Sequence, residues 1–556
     1  MTGAQLIIKF LIVKGVDTVF GYPGASVLEL FDALWFGDEH RRDAIKTVVM
    51  RHEQGVVHAA TGYAKASGRP GICIATSGPG ATNLITGLAD AYLDSVPLIA
   101  VTGQVDTAMI GRDAFQEADV MGIAMPVTKH SLLVKNIGAL KAALYEAWHI
   151  ATRGRPGPVL IDVAHDVLCG EIDDGELPPD METALPRMRD YEQLTTENIS
   201  EVIKLIEHSY RPVILAGGGA VSAETSKALG GFAEKSNIPI ITTLPGMGIK
   251  LSHINMLGMA GMYGNSAANA ALEQCDLLIT IGARFSDRTV PDYKLCANGR
   301  RIIHCDIDSA EISKNVAANV GVVCPAEQFL NTLSNANIKY KITDIIEWNA
   351  SLARRRQKHP MSISADALSC REVLRALDTL QEERRDALYI ADVGNSQMIA
   401  ARELEPRFER GFITSCGLGT MGFALPAAVG ASFAVNDREY APDGIRQLCV
   451  ICGDGGFQMT MQELALVHEC PLPLKIFIFN NSALGMIRLL QRRRMEGRLA
   501  ASELSHNPDF AMLAAAYGLD AYTITVTDRP NLSGRLAEIL DNPRSAVINI
   551  VCDDTF

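Results

Sequence analysis

Short runs of apolar and β-branched residues alternate along the chain with longer segments of helical periodicity. Continuous apolar runs are typical of strands buried on both faces, and helical connections between them favour parallel pairing. The pattern therefore predicts an α/β chain with several doubly wound parallel sheets. Eleven predicted strands lie at 71–76, 97–103, 158–163, 212–217, 239–244, 277–283, 301–308, 387–394, 448–455, 475–481 and 546–552.

Two breaks in this pattern divide the chain. Residues 170–188 are acidic, contain prolines and lack apolar periodicity, and residues 354–366 are basic and then rich in Pro and Ser. Both segments are predicted to be linkers or interdomain arms. The expected domains are 1–170, 190–345 and 365–556. A chain of 556 residues also suits three or four domains of about 150 residues each.

Composition and charge exclude several classes of protein. With 51 Lys and Arg against 64 Asp and Glu, the net charge is −13, which argues against nucleic acid or an anionic membrane surface as partner. No apolar run approaches the roughly 20 residues of a membrane-spanning helix. The N-terminal residues lack the pattern of a signal peptide. We expect a cytoplasmic protein whose 12 scattered cysteines are reduced and mostly buried.

Two potential metal motifs do not fit metal binding. Cys449 and Cys452 are spaced C-x-x-C, but they lie in an apolar strand that would turn them to opposite faces. His52, Glu53 and His58 have the wrong spacing for the zinc motif H-E-x-x-H. We therefore interpret the two cysteines as core residues and expect no zinc site at the histidines.

The strongest chemical signal is G-D-G-G at 453–456 followed by Asn480 and Asn481. Each piece ends an apolar strand, and a helical segment connects them, so the two strand ends should lie side by side. Asp454 and Asn481 could then share one Mg²⁺, which prefers oxygen ligands and often retains phosphate oxygens. The adjacent glycines would let a diphosphate approach the backbone. The alternative is a pair of ordinary turns.

Three further segments are candidates for cofactor binding. Glu53 lies between apolar segments, where a carboxyl group could carry a proton near neutral pH, although a lone Glu is more often a surface or capping residue. Residues 77–83, S-G-P-G-A-T-N, follow a strand and open a helix. The glycine-rich segment 217–220 follows a strand and fits either phosphate binding or a tight turn. Residues 417–422 also follow a strand and fit the dinucleotide pattern G-x-G-x-x-G, but the acidic residue expected about 20 positions later is missing.

Together these segments resemble the catalytic large subunit of the acetohydroxyacid synthase (acetolactate synthase) family, which uses thiamine diphosphate. The resemblance spans nearly the whole chain and implies pyrimidine-binding, central and diphosphate-binding α/β domains. It implies decarboxylation of pyruvate and transfer of the product to a second 2-oxoacid, in branched-chain amino-acid biosynthesis. The motifs that carry it are RHEQGVVHAATGYAKASGRPG, ATSGPGATN, GRDAFQEADV, GARFSDR, SCGLGTMGFALPAAVGA and GDGGFQMTMQEL.

The resemblance assigns roles to particular residues. Glu53 would hydrogen-bond the pyrimidine of thiamine diphosphate, and Met421 would support the bent cofactor. Asp454, Asn481 and the backbone carbonyl of Ala483 would bind Mg²⁺. The remaining candidates are Phe115 and Gln116 near the reacting oxygens, Arg288 at the acceptor carboxylate, and Gly78, Pro79, Gly453, Gly455, Gly456 and Met486 around the cofactor.

The resemblance also implies an FAD site in the central domain, where the flavin takes no part in the overall reaction. Ser286 replaces an aspartate of the family pattern, and residues 322–326 lack its usual Gly-Asp. The candidate FAD residues are Gly217, Gly218, Gly219, Thr243, Leu244, Arg284, Asp306 and Ile307.

Other departures surround the expected acceptor pocket. Leu490 replaces a usual Trp or Tyr, His165 a usual Lys, Tyr263 a usual His, and Ile399 a usual aromatic residue. They fit either drift within the family or a changed acceptor. A different thiamine-diphosphate reaction, such as simple decarboxylation or flavin-linked oxidation, and a non-catalytic paralogue are the alternatives.

The resemblance further implies partners. We expect small 2-oxoacid substrates and a homodimer or homotetramer whose active site lies between chains. A separate regulatory small subunit is compatible with the sequence. The chain ends soon after its last predicted strand, where the family commonly has a further arm over the active site.

Overall fold

Three parallel sheets of six strands each form the framework of the described chain. Within each sheet every pair of neighbouring strands is parallel. This confirms the predicted fold class, and all eleven predicted runs contain strands. The computed structural model describes residues 1–36, 45–173, 177, 194–250, 255–293, 299–356, 364–435 and 444–553.

The strands of the N-terminal sheet are β1 (Thr18–Tyr22), β2 (Lys46–Val49), β3 (Gly71–Ala75), β4 (Leu98–Gln104), β5 (His130–Val134) and β6 (Pro158–Ala164). Their spatial order is β2-β1-β3-β4-β6-β5. The strands of the central sheet are β7 (Pro212–Ala216), β8 (Ile240–Thr242), β9 (Met256–Met259), β10 (Leu277–Ile281), β11 (Arg301–Asp306) and β12 (Val320–Val323). Their order is β12-β11-β10-β7-β8-β9.

The C-terminal sheet has the order β14-β13-β15-β16-β18-β17. Its strands are β13 (Ala387–Ala391), β14 (Phe412–Thr414), β15 (Gln447–Gly453), β16 (Leu474–Asn480), β17 (Asp520–Ile524) and β18 (Ala546–Val551). The α-helices are Gly3–Val13, Leu28–Phe36, Glu53–Ser67, Pro79–Asn83, Ile85–Leu93, Val120–Ala124, Ile137–Thr152, His165–Cys169, Thr196–Glu207, Ala223–Ser236, Ser266–Gln274, Ala326–Asn335, Ile342–Ala353, Cys370–Arg384, Asn395–Glu403, Ala424–Val435, Asp454–Thr460, Gly485–Arg494, Phe510–Ala516 and Leu532–Asp541.

The predicted linkers fall largely outside the described residues, and the domain bounds built on them stay predictions. Of 170–188, the structure describes only 170–173 and 177, and the bound at 190 lies outside it. Of 354–366, residues 357–363 are outside it. Every helix in the described parts of the chain is too short or too polar to cross a membrane.

The N-terminal and C-terminal sheets share one hydrophobic core. Its centre is the contact between the helix Glu53–Ser67, which packs on the N-terminal sheet, and the helix Ala424–Val435, which packs on the C-terminal sheet. Small residues let the two backbones approach closely. A methyl group at Gly430 would overlap the backbone carbonyl of Ala59, and one at Gly62 would overlap that of Ala427.

We expect Gly430→Ala to destabilise the protein by about 1–3 kcal/mol, because neither backbone can move without disturbing the shared core. Gly231→Ala is the matched control: Gly231 also lies within a helix, but an added methyl group there would meet open space. The control should stabilise the chain by about 0.5–1 kcal/mol. Denaturant unfolding of the two variants measures the change in the free energy of unfolding. Equal free energies would mean that the two helices move apart enough to accommodate the methyl group at Gly430.

The two cysteines of the C-x-x-C pattern lie on opposite faces of β15, as predicted. Cys449 belongs to the core on one face of the C-terminal sheet and Cys452 to the core shared with the N-terminal sheet. Burial raises the pKa of both thiols. They are therefore core residues, and eight of the described cysteines are buried as thiols rather than disulfides.

Candidate active site

A cavity of about 1190 Å³ opens where the three sheets meet. It brings together predicted site residues from the central and C-terminal parts of the chain, which are up to 268 positions apart. From the C-terminal part these are Met421, Gly453, Asp454, Gly455, Gly456, Asn481, Ala483 and Met486, and from the central part Gly218, Gly219, Thr243, Leu244, Arg284, Arg288, Asp306 and Ile307.

Asp454 and Asn481 follow adjacent strands, as the spacing predicts. β15 ends at Gly453 and pairs with β16, which ends at Asn480. Ser482 adopts the left-handed region, φ 52°, and the turn there brings the N–H of Ala483 to 3.1 Å from Asn481 Oδ1, to which it donates. Burial raises the pKa of Asp454. A divalent cation beside this carboxylate would offset that desolvation, and the oxygen-rich set suits Mg²⁺.

Asn507 orients Asp454, and the sequence analysis missed it. Its side-chain amide donates to Asp454 Oδ2 at 2.7 Å and to Asn480 Oδ1 at 3.1 Å. Its own oxygen accepts a hydrogen bond from Gln458 at 2.9 Å. Asn507 lies 53 residues from Asp454 in a loop without secondary-structure signals, and only the folded chain reveals the contact.

Two helix N-termini also face this cavity. The helix Asn395–Glu403 begins after Gly394, whose φ of 143° favours glycine, and the helix Gly485–Arg494 begins beside Asn481. Both Asn395 and Gly485 line the cavity, and Asn395 Oδ1 is buried without a hydrogen-bond partner. Free backbone N–H groups and the positive ends of two helix dipoles suit an anion such as a diphosphate.

Three acidic residues fix the loop that carries Met421. Asp94 accepts hydrogen bonds from the N–H groups of Cys416 and Gly417 at 3.0 and 2.7 Å. Asp392 accepts from the N–H of Gly422 at 3.0 Å.

Asp90 accepts from the hydroxyl of Ser415 in the same loop. Burial raises the pKa of Asp392 to about 7 and that of Asp90 to about 6. The sequence analysis missed all three acidic residues. Asp90 and Asp94 precede the loop by more than 300 positions, and Asp392 precedes Gly422 by 30.

The predicted acceptor residues cluster on another wall of the cavity. The hydroxyl of Tyr263 donates to Met486 Sδ at 3.3 Å, and Arg288 Nη1 lies 3.6 Å from Met262 Sδ. Arg288 is largely exposed, and the nearest described carboxylate is that of Asp287, at 3.9 Å. Its guanidinium can therefore reach a substrate carboxylate.

In the central part, the glycines differ in what they do. Gly218 and Gly219 line the cavity, whereas Gly217 does not. A side chain at Gly217 would overlap the backbone of Gly282. Gly217 is therefore explained by backbone packing at the end of β7. Burial raises the pKa of Asp306, which lines the cavity at the end of β11, to about 6.

The predicted residues of the N-terminal part form a second group that does not line the cavity. Asn83 donates to Glu53 Oε2 at 3.0 Å, and Glu53 is the first residue of its helix. Gly78, φ 57°, packs against the backbone of Gln116, φ 61°.

Pro79 begins the helix that ends at Asn83, and the side chain of Phe115 is 89% exposed. Within one chain, therefore, Glu53, Gly78, Pro79, Phe115 and Gln116 form a group outside the lining of the cavity, called here the Glu53 half site.

A buried carboxylate missed by the sequence analysis lies behind Glu53. Glu463, from the C-terminal part, accepts a hydrogen bond from the N–H of Arg51 at 3.1 Å and fills the space beside Gly55. Burial raises its pKa to about 7. Glu463 therefore fixes the start of the Glu53–Ser67 helix and links it to the C-terminal sheet.

Family models match all three parts of the chain. They are the thiamine pyrophosphate enzyme N-terminal TPP-binding domain at residues 1–123, the central domain at 199–333 and the C-terminal TPP-binding domain at 392–550. A probable acetolactate synthase large subunit of Methanocaldococcus jannaschii is 41% identical over all of this chain and 92% of its own length. The chain belongs to the acetolactate synthase large-subunit family.

Other members of the family are similar over nearly their full lengths. The acetolactate synthase large subunit of Corynebacterium glutamicum is 42% identical over 98% of this chain and 86% of its own length. The isozyme 2 large subunit of Escherichia coli is 38% identical over 100% of this chain and 96% of its own length. The resemblance inferred from the motifs, including the thiamine-diphosphate-binding domains, is thereby confirmed.

Proposed function

We propose that the chain is the catalytic subunit of an acetolactate synthase, converting two pyruvates into 2-acetolactate and CO₂ and accepting 2-oxobutyrate as an alternative acceptor. The observation that carries the proposal is the cavity in which Asp454 and Asn481, Met421 and Arg288 meet. The family membership supports the same reaction. Its product would serve the biosynthesis of branched-chain amino acids such as valine and isoleucine.

Thiamine diphosphate and Mg²⁺ fit the residues of the cavity. Asp454, Asn481 and the Ala483 carbonyl would hold Mg²⁺, and the helices that begin at Asn395 and Gly485 would receive the diphosphate. When bound, the cofactor supplies a nucleophilic carbon that attacks the 2-oxoacid and accepts the electrons left by CO₂. Arg288 would bind the acceptor carboxylate, and Gln116 would donate to the developing oxyanion.

FAD is a second proposed occupant. The cavity exceeds the roughly 300–1,000 Å³ of a typical single-ligand pocket, and its central part is lined by Gly218, Gly219, Arg284 and Asp306. A cavity of this volume could hold a dinucleotide against these residues, beside thiamine diphosphate. Because the overall reaction is not a redox reaction, we expect a structural role for the flavin.

A homodimer or homotetramer would explain the divided site. The Glu53 half site does not line the cavity of its own chain, and Phe115 is exposed. A second copy could bring its half site onto the cavity. The relatives are named large subunits, which supports a separate small subunit. The cytoplasmic location stays a prediction.

A product competition tests the proposed function. The purified chain, thiamine diphosphate, Mg²⁺ and FAD are mixed with pyruvate and 2-oxobutyrate, and the products are quantified. Acetolactate with acetohydroxybutyrate is expected. Release of CO₂ with an aldehyde, or with acetate, would instead favour a decarboxylase or a flavin-linked oxidase, and no CO₂ release across 2-oxoacids would contradict catalysis altogether.

Leu490 should set the acceptor ratio. It lines the cavity on the helix Gly485–Arg494, four residues after Met486. We expect Leu490→Trp to raise the ratio of acetohydroxybutyrate to acetolactate about tenfold, because a flat apolar wall would contact the extra methylene, worth about 1–3 kcal/mol. Leu499→Trp, at an exposed position outside the cavity lining, is the control. An unchanged product ratio for Leu490→Trp would show that the residue at this position does not select the acceptor.

A further inference from the structure

Outside the cavity, one cluster combines a histidine, a cysteine and a carboxylate. His165 and Cys169 are the first and last residues of the short helix after β6, and their spacing of four puts both on one face. Glu29, in the first turn of the helix Leu28–Phe36, lies opposite. His165 Nε2 is 3.4 Å from Glu29 Oε1 and 3.6 Å from Cys169 Sγ.

These separations match those around a tetrahedral zinc ion. Zn–N, Zn–O and Zn–S bonds of about 2.0–2.3 Å place neighbouring ligand atoms about 3.3–3.8 Å apart. The ligand atoms of Glu29, His165 and Cys169 all lie within 4.8 Å of one another. A cation could therefore enter between them after only a small adjustment, with water completing the coordination.

The surroundings orient the histidine for metal binding. Asp106 Oδ1 lies 2.8 Å from His165 Nδ1, and a proton on Nδ1 would leave the lone pair of Nε2 facing Glu29 and Cys169. A carboxylate on the far nitrogen of a ligating histidine is the usual outer partner in zinc sites. In addition, Glu29 Oε2 is buried and has no hydrogen-bond partner among the described residues.

From this geometry we propose that Glu29, His165 and Cys169 bind a divalent transition-metal cation of the zinc type. One nitrogen, one thiolate and one carboxylate ligand favour Zn²⁺ or Co²⁺ over Mg²⁺ and Ca²⁺, which take oxygen ligands. Binding requires loss of the Cys169 proton. In the metal-free state, partial burial and the nearby carboxylates, Glu29 first among them, raise the pKa of this thiol.

The site would stabilise a functional edge of the N-terminal sheet. β4 and β6 are adjacent and end at Gln104 and Ala164, and His165 directly follows the second of these ends. Asp106 begins the loop that leads to Phe115 and Gln116. A cation on His165 would therefore connect this loop, through Asp106, to the helix of Glu29. The inference does not depend on the proposed reaction.

Cobalt binding tests the proposal on the full chain, saturated with thiamine diphosphate and Mg²⁺ so that oxygen-ligand sites are occupied. Titration with Co²⁺ should give one equivalent per chain, tetrahedral visible bands and a thiolate-to-cobalt charge-transfer band. Cys169→Ser should abolish the charge-transfer band, and His165→Ala should weaken binding at least about tenfold. Zn²⁺ should displace Co²⁺ from the unmodified protein.

Cys470→Ser and His208→Ala are the matched controls, since neither residue belongs to the cluster or lines the cavity, and both should retain binding. A spectrum without the charge-transfer band in the unmodified protein would show that the cluster is only hydrogen-bonded. The same band persisting in Cys169→Ser would place the cation elsewhere. Either result overturns the proposal, whereas the product competition can succeed or fail independently.

Discussion

Glu53→Gln should slow exchange of the C2 proton of bound thiamine diphosphate by at least about 100-fold. General acid–base groups typically contribute factors of about 10²–10⁴, and a glutamine amide cannot take or give the proton. Asn83 holds Glu53 Oε2 at 3.0 Å, and the amide oxygen of a glutamine could accept the same bond. The substitution thus removes the carboxylic acid group and keeps an acceptor for the hydrogen bond from Asn83. Hydrogen–deuterium exchange followed by NMR of the released cofactor measures the rate.

Two comparisons make this result specific to Glu53. Glu201→Gln, on an exposed helix of the central part, should leave exchange unchanged. The affinity of Glu53→Gln for thiamine diphosphate should stay within about threefold of the unmodified protein, because the diphosphate contacts lie in the cavity, away from Glu53. Exchange of the C2 proton at the wild-type rate in Glu53→Gln would show that Glu53 is not the acid–base group.

The Glu53 half site also predicts that exchange depends on assembly. Glu53 does not line the cavity of its own chain, whereas Asp454 and Met421 do. A chain held monomeric by dilution should therefore lose exchange while keeping the Asp454 site intact. Concentration dependence of the exchange rate, followed alongside sedimentation, measures this loss.

The sequence predicted strands well where they are buried on both faces. β4 and β16 are largely apolar and lie in the interiors of their sheets, and every residue of β4 is buried. The eleven predicted runs leave out β1, β2, β5, β9, β12, β14 and β17. Six of these strands lie at sheet edges, whereas β1 lies inside the N-terminal sheet. An edge strand is covered less completely, and partial exposure permits the mixed polarity of His130–Val134, whose first four residues are half-buried.

The same limit applies to the site. Asp454 and Asn481 were predictable because each follows a buried strand, and parallel strands bring such ends to one edge. Asn507 and Asp94 were not, since their contacts depend on how a loop or a second sheet packs against that edge. Their roles follow from tertiary packing, which local patterns do not encode.

Asp454→Asn should lower the Mg²⁺-dependent affinity for thiamine diphosphate by at least about 100-fold, equivalent to about 2.7 kcal/mol. The substitution keeps the shape of the side chain and an oxygen that can accept the hydrogen bond from Asn507. It removes the only side-chain charge among Asp454, Asn481 and Ala483. Mg²⁺ binds hard anionic oxygens most strongly, so the neutral amide should release the metal and with it the diphosphate. Calorimetric titration at fixed Mg²⁺ measures the change.

Asp541→Ala is the control for charge in the C-terminal part, because Asp541 is 67% exposed and pairs only with Arg384 among the described residues. Its cofactor affinity should match that of the unmodified protein. Raising Mg²⁺ should partly restore binding in Asp454→Asn, since the weakened metal site can be filled by mass action. Full affinity without Mg²⁺, in either the variant or the unmodified protein, would show that the diphosphate is held by the helices at Asn395 and Gly485 alone. The Asp454 carboxylate would then hold the loop of Asn507 through its hydrogen bond and would not bind a metal.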